Sequence, residues 1–339
     1  MKVLFVIFSV VVLNIGFGQQ FVHDSLIVGG NYRSFYAYIP ASYNASQQVP
    51  LVLSFHGYGS SAAVNYQYTQ FHAIADTAGF IVVHPQGSLL NGTTHWNVGG
   101  WTIGSTVDDV NFTNVLLDYI ESNYTIDSDR IYSTGMSNGG YMSFKLACEL
   151  NERFAAIASV TGSMTPQILN TCNPVHPTPI LQIHGTADAT VPYAGSPSWT
   201  LSIEDVLNYW VQKNNCNSSP ELTSIPDIST TDGSTVDYFV YGNGIDASTV
   251  EHFRVNGGDH DWPGVWGNMD IDASKEVWRF FYKTTKSTSA LGIVDFTENS
   301  NKSLVKIIDF TGKEIKEGSN SPSIYIFDDG STKKVISPY

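Results

Sequence analysis

Positive charge is scarce in this chain: 17 Lys and Arg stand against 31 Asp and Glu in 339 residues, a formal net charge of −14. Proteins that grip nucleic acid or an anionic membrane neutralise phosphates with clustered Lys and Arg. Too few are present, so neither partner is expected. Cysteine is rarer still, with only Cys148, Cys172 and Cys216. The sequence has no Cys/His ligand cluster and no phosphate-cradling glycine loop, so no metal and no cofactor are expected. Long apolar runs are lacking too. The run Val3 to Ile15, between Met1-Lys2 and Gly16-Phe17-Gly18, is too short to cross a bilayer. Its layout is that of a secretory signal peptide cut after Gly18. Residues 1–18 are read as a leader, and the mature chain as soluble and exported.

What is present is an alternation of segment types. Residues 21–27 and 32–39 predict an opening antiparallel hairpin around Val28-Gly-Gly-Asn31. From Pro50, strand-like segments (50–56, 80–84, 130–136, 155–161, 179–184, 236–242, 248–255) alternate with helix-like ones (68–78, 108–122, 139–150, 202–213, 272–283). That order predicts an α/β protein, a mostly parallel central sheet with helices on both faces, in one domain over 19–285. The polar stretch Thr284–Ser289 reads as a linker. Beyond it, 303–315 and 323–336 alternate apolar and polar residues around Gly turns, so 286–339 is expected to form a small C-terminal β-module.

The most informative stretch is Gly135-Met136-Ser137-Asn138-Gly139-Gly140, between the β-branched run Arg130–Thr134 and a helix-like segment from Tyr141. A serine flanked by glycines two residues away on each side, between strand and helix, is the nucleophile elbow of α/β-hydrolases. The turn is so tight that only residues without bulk fit beside the serine. In that fold the acid and the base follow in the order Ser, Asp or Glu, His. The run Pro179–Asp188 ends a predicted strand in a Gly-containing loop that carries Asp188, although Gly-Thr-Ala-Asp also suits an ordinary turn. His260, in the loop after the predicted strand 250–255, is the candidate general base. Of the other histidines, His23, His56, His72, His84, His95 and His176 precede Asp188, and His184 lies only four residues before it. His252 is the rival, but it sits inside a predicted strand, where a side chain more often packs than reacts. Asp259 and Asp261 flank His260 and are read as polar loop caps.

Oxyanion donors are expected from the backbone amides of Tyr58 and Asn138. Pro50–Ser60 is an apolar run ending in His56-Gly-Tyr-Gly, the loop type that supplies such an amide. His56 itself is read as a structural hydrogen-bonding residue. Tyr58, Trp96, Trp101, Trp262 and Trp266 crowd the same loops. Of these, Trp96, Trp101 and Trp262 are the candidates to line a binding cleft, since a tryptophan at a loop tip is poorly placed for the core. An aryl or sugar-bearing ester would suit such a cleft. Its depth depends on loops 60–67, 86–106 and 189–200.

Together these stretches resemble the secreted feruloyl esterase and polyhydroxybutyrate depolymerase-like family of α/β-hydrolases, which also contains acetyl xylan esterases. The matches are His56-Gly-Tyr-Gly-Ser, Val83–Ser88, Val107–Val110, Arg130–Gly140, Ile183–Asp188 and Gly258-Asp-His-Asp-Trp-Pro-Gly264, across about residues 25–285. The resemblance carries the family's triad onto Ser137, Asp188 and His260. It departs at Asp259, where a glycine often precedes the histidine. Asp108 and Asp109, at a predicted helix start, are read as caps. The family's cysteines at the places of Cys148 and Cys172 imply a disulfide, leaving Cys216 over.

By the same resemblance the expected activity is a serine carboxylesterase acting on ferulate or acetate esters of plant polysaccharide such as xylan. A polyhydroxyalkanoate depolymerase is the alternative. A serine peptidase is disfavoured because no propeller-sized insert is present, and a non-catalytic carbohydrate-binding or adhesion protein because all three triad side chains are there. The C-terminal module resembles the sorting domains read by type IX secretion machinery, an accessory β-hairpin packed on the catalytic domain being the other reading.

Overall fold

In the computed structural model the described residues are 18–286 and three further strands, 304–309, 323–327 and 332–335. Residues 1–17 of the expected leader lie outside the described residues.

Strand β3 (Val49–Phe55) shows how the sequence builds the architecture. Six of its seven residues are buried, as a strand covered on both faces requires. Because successive side chains point to opposite faces, Leu51, Leu53 and Phe55 enter one core with helices α3 (Asp109–Asn123), α4 (Asn138–Glu149) and α6 (Ile203–Lys213). Val52 enters the other, with α2 (Phe71–Ala78) and α7 (Ala273–Tyr282). Strand β4 (Ile81–Pro85) divides the same way, Ile81 and Val83 against Val82.

The remaining strands of this sheet are β1 (Gln20–Val28), β2 (Asn31–Ile39), β7 (Ile126–Met136), β8 (Ala156–Val160), β9 (Ile180–Gly185), β10 (Glu221–Ser224), β11 (Thr235–Tyr241) and β12 (Val250–Asn256). A short separate hairpin pairs β5 (Ser88–Leu90) with β6 (Thr93–His95). The sheet order is β1-β2-β4-β3-β7-β8-β9-β12-β11-β10. The six central strands from β4 to β12 are mutually parallel, and antiparallel pairs close both edges. This is the α/β-hydrolase fold.

The expected helix 68–78 is two helices, α1 (Ala62–Thr69) and α2, broken at Gln70, whose φ of 49° is left-handed. Ser61 caps α1 through its side chain, a start signal missed in the sequence. The β5–β6 hairpin, the edge strand β10 and the short α5 (Pro166–Thr171) were also not foreseen. Cys148 on α4 is disulfide-bonded to Cys172 at the end of α5, and Cys216 is free.

The chain divides into two compact units between Ser289 and Ala290. In the second, Leu304–Asp309, Ser323–Phe327 and Thr332–Val335 form a three-stranded antiparallel sheet in chain order.

Candidate active site

Strand β7 ends at Met136 and α4 begins at Asn138, so one residue, Ser137, makes the whole turn. Its φ of 53° and ψ of −121° are costly for a residue with a Cβ, by about 1–3 kcal/mol. The crowding around it explains the flanking glycines. A Cβ on Gly139 would stand 2.1 Å from the Phe55 carbonyl oxygen, and one on Gly135 2.5 Å from the Gly139 carbonyl carbon. The Ser137 amide donates to the Val160 carbonyl at 2.8 Å, which ties the turn to β8. Unlike α1, α3, α6 and α7, helix α4 has no side-chain cap from its N-cap residue, Ser137. Among the described residues, neither the Asn138 amide nor the Tyr58 amide donates to an acceptor. Both N–H groups remain available to a bound anion.

The Asn138 side chain is clasped to Trp96. Its Oδ1 accepts from the Trp96 amide at 2.7 Å and its Nδ2 donates to the Trp96 carbonyl at 3.1 Å. The Trp96 indole donates to the His56 carbonyl at 2.8 Å and packs edge-on against Phe55. Trp96 is fully buried, so it does not line the cleft as expected from sequence. The β5–β6 hairpin carries it inward, and it braces the two loops that hold Tyr58 and Asn138. His56 Nδ1 donates to the Gly57 carbonyl at 2.7 Å and Nε2 accepts from the Gly87 amide at 2.9 Å. Burial pushes this imidazole down to about 4, so it is neutral at pH 7 and acts as a brace.

Asp188 lies three residues past the end of β9, with its side chain fully buried. Its Oδ1 accepts from the Thr190 and Val191 amides, both at 2.8 Å. Its Oδ2 stands 2.8 Å from His260 Nδ1 and 3.3 Å from His184 Nε2. Burial raises the carboxyl, but the hydrogen bonds from His184, His260 and the Val191 amide outweigh it and hold the group well below the usual carboxylate range. The carboxylate is therefore ionised and orients the His260 ring. His184, four residues before Asp188, is the second imidazole on this carboxylate. Gln182 Nε2 donates to its Nδ1 at 3.0 Å, which leaves Nε2–H for the Val191 carbonyl at 2.9 Å and for Asp188. The spacing of four residues from Asp188 was the available signal.

His252 is fully engaged elsewhere. Its Nδ1 donates to the Gln182 carbonyl and its Nε2 accepts from the Tyr193 hydroxyl, both at 3.0 Å. Asp259 accepts from the amides of His260 and Ala189, and Asp261 from the amide of Asp259. Asp108 caps α3. Asp109 does not behave as the expected cap: it is buried, with Oδ1 on Arg33 at 2.6 Å and Oδ2 on the Asn97 amide at 2.7 Å.

A cavity of about 520 Å³ is lined by Tyr58, Gly100, Trp101, Ser137, Thr190, Val191 and Trp199. Ser137 therefore faces the two residues whose amides hold Asp188. Among the described residues the Ser137 hydroxyl makes no hydrogen bond, and it is not within bonding distance of His260. Such contacts often tighten only when substrate is bound. Trp101 and Trp199 meet edge to face at 5.3 Å. Trp199, in the loop 189–200, was not among the residues expected to line the cleft, because no pattern in its own segment marks which way its ring turns. Trp262 does not line this cavity: it is fully buried, with its indole donating to Ser274 Oγ and its ring against Phe71 and Tyr68. Among the described residues no cluster of His, Cys, Asp and Glu could hold a metal ion.

The fold and the strained serine turn define an α/β-hydrolase. The chain belongs to the phospholipase/carboxylesterase family, whose profile matches residues 39–222; this is a family of carboxylic ester hydrolases. A bifunctional acetylxylan esterase/xylanase of Neocallimastix patriciarum is 25% identical over 254 residues, covering 75% of this chain and 33% of that protein. Feruloyl esterase B of Piromyces equi is 28% identical over 231 residues, covering 65% of this chain and 41% of that protein. The chain thus spans only a third to two-fifths of these two relatives. The acetyl xylan esterase of Aspergillus awamori superposes with a TM-score of 0.57 at 18% identity, over 78% of this chain and 99% of that one, a likeness of fold.

Proposed function

We propose that this protein is an exported serine esterase that cleaves aryl or acetyl esters on plant polysaccharide through an acyl-enzyme at Ser137. His260 Nε2 takes the Ser137 proton as Oγ attacks the ester carbonyl. The amides of Tyr58 and Asn138 bind the tetrahedral oxyanion. On collapse the C–O bond breaks and His260 returns the proton to the leaving alkoxide. Water, deprotonated by the same imidazole, then attacks the acyl-enzyme and releases acid and free serine. Asp188 fixes the tautomer with Nδ1–H and stabilises the transient imidazolium. The observation that carries the reading is the 2.8 Å Asp188–His260 contact beside a cavity that Ser137 shares with Thr190 and Val191.

The substrate class rests on the names of the relatives and on the Tyr58, Trp101 and Trp199 walls, which offer flat apolar surface to a planar acyl group. Export through the leader and recognition of the C-terminal unit by type IX secretion machinery belong to the same proposal. Deleting residues 290–339 should then retain the protein inside its host cell. Ser137→Ala should lower kcat on methyl ferulate and on p-nitrophenyl acetate by roughly 10⁴–10⁶. Retention of most activity would refute the assignment, and clearing of a polyester suspension without ferulate release would replace the substrate.

A further inference from the structure

A second cleft, of about 200 Å³, opens between helix α6 and strands β11 and β12. Its walls are the rings of Tyr193, Phe239 and Tyr241, with Glu204 and Asn208 from α6 and Arg254 from β12. Several of these groups are fixed. The Tyr193 hydroxyl donates to His252 Nε2 at 3.0 Å. The Arg254 guanidinium lies 4.8 Å from the centre of the Phe239 ring and bonds Asp237 at 2.8 Å. Others are left open. Among the described residues the side chains of Glu204 and Asn208 and the Tyr241 hydroxyl make no hydrogen bond.

The chemistry narrows the occupant. Asp237 already neutralises Arg254 and Glu204 adds negative charge, so the cleft does not attract an anion. A purely apolar ligand would strip water from Arg254, Glu204 and Asn208 without replacing its hydrogen bonds, which is costly. A neutral sugar meets both requirements: its C–H face lies on an aromatic ring and its hydroxyls serve as donors and acceptors at the rim. The volume is below the 300–1,000 Å³ or so of a typical small-molecule site, which suits one sugar unit of a longer chain. Position adds a further argument. Tyr193 is two residues beyond Val191, a wall of the Ser137 cavity, so one loop borders both clefts.

We infer that the Tyr193–Phe239–Arg254 cleft binds a neutral sugar unit of the polysaccharide backbone, away from the ester being cut. This rests on the esterase reading above for the identity of the polymer, and the cleft's own occupancy is measured separately. The probe is unesterified xylotetraose, titrated into the full chain by calorimetry, alongside kcat/KM on feruloylated xylan and on methyl ferulate. Asn208→Ala, at an exposed helix position that alanine suits, and Phe239→Ala should each weaken xylotetraose binding about fivefold, the scale of one aromatic or hydrogen-bonding contact. Activity on feruloylated xylan should fall by a similar factor while methyl ferulate turnover stays unchanged. Wild-type xylotetraose affinity in both variants, or no xylotetraose binding to the parent chain, overturns the inference. Equal losses on polymer and small ester overturn it too. A parent chain that binds xylotetraose but leaves methyl ferulate intact upholds the cleft and removes the esterase reading.

Discussion

Removing the Asp109 carboxylate tests whether the buried ion pair beneath the Trp96 loop holds this part of the fold. Asp109 is 1% exposed and Arg33 5%. The guanidinium lies 3.9 Å from the centre of the Phe112 ring, and its other hydrogen bond is a 3.4 Å contact to the Gln86 carbonyl. Arg33 Nε is already buried without a partner. Asp109→Ala therefore leaves a buried positive charge with almost nothing to balance it, and the Asn97 amide with no acceptor. Breaking one side of such a pair costs about 3–5 kcal/mol. At about 2–4 °C per kcal/mol for a domain of this size, Tm should fall by about 10 °C. The double variant Arg33→Met/Asp109→Leu removes both charges, leaving the Asn97 amide unpaired at about 1–3 kcal/mol and the Gln86 carbonyl without its long 3.4 Å contact, so it should be more stable than Asp109→Ala. Thermal and urea unfolding of both variants and of Arg33→Met, followed by far-UV circular dichroism, measures this. A single-variant loss below about 1 kcal/mol, or a double-variant loss equal to the sum of the singles, would refute the reasoning.

Acid should destabilise the fold well above the carboxylate range. His56, His84 and His252 are pushed by burial to about 4, 3 and 3; the unfolded chain therefore binds their protons near pH 6.5 and the folded chain does not. Stability then falls as pH drops from 6.5 toward 4, by about 4 kcal/mol per pH unit near pH 5, and a Tm unchanged between pH 6.5 and 4.5 at fixed ionic strength would contradict this. Reducing the Cys148–Cys172 bridge should cost about 3–4 kcal/mol by the chain-entropy account, and the denatured, unreduced protein should titrate a single thiol, Cys216; three thiols would be incompatible with the bridge. Trp199→Ala should raise KM for methyl ferulate about tenfold and leave p-nitrophenyl acetate nearly untouched, whereas equal losses on both would remove Trp199 from acyl selection.

The parts of the fold legible in the sequence are those where one physical signal dominates. Mostly apolar, wholly buried runs such as Leu51–Phe55 and Ile180–Ile183 fit only a two-sided core, and the flanking glycines around Ser137 answer a close approach of β3 and α4. What failed was governed by tertiary context. The left-handed turn at Gln70 is a single backbone angle that no periodicity reports. The tryptophans divided for the same reason. Trp96, Trp101 and Trp262 all sit in glycine-bearing loop sequence, yet a hairpin of two three-residue strands turns Trp96 inward and a hydrogen bond to Ser274 seats Trp262 in the core. Trp199, in a loop noted only for pocket depth, reaches the cavity. Asp109 reads as a cap by position, but its partner Arg33 is 76 residues away, and only the sheet brings them together.

The site's polar groups fall into two sets, and the division bears on the proposed chemistry. Around Asp188 every acceptor position is used: two amides on Oδ1 and two imidazoles facing Oδ2. Asn138, His56 and Trp96 are likewise locked to one another. The Ser137 hydroxyl and the amides of Tyr58 and Asn138, by contrast, have no partner among the described residues. Tyr58 is exposed and Ser137 lines the same cavity, so both stand where a ligand can reach them. The satisfied shell fixes where the open groups point, and the strained serine turn carries a conformational cost of its own. A donor pair and a hydroxyl left open inside a rigid frame suit a ligand that carries a carbonyl: it accepts from both amides and presents its carbon to the serine. That is the preorganisation the proposed acyl transfer calls for.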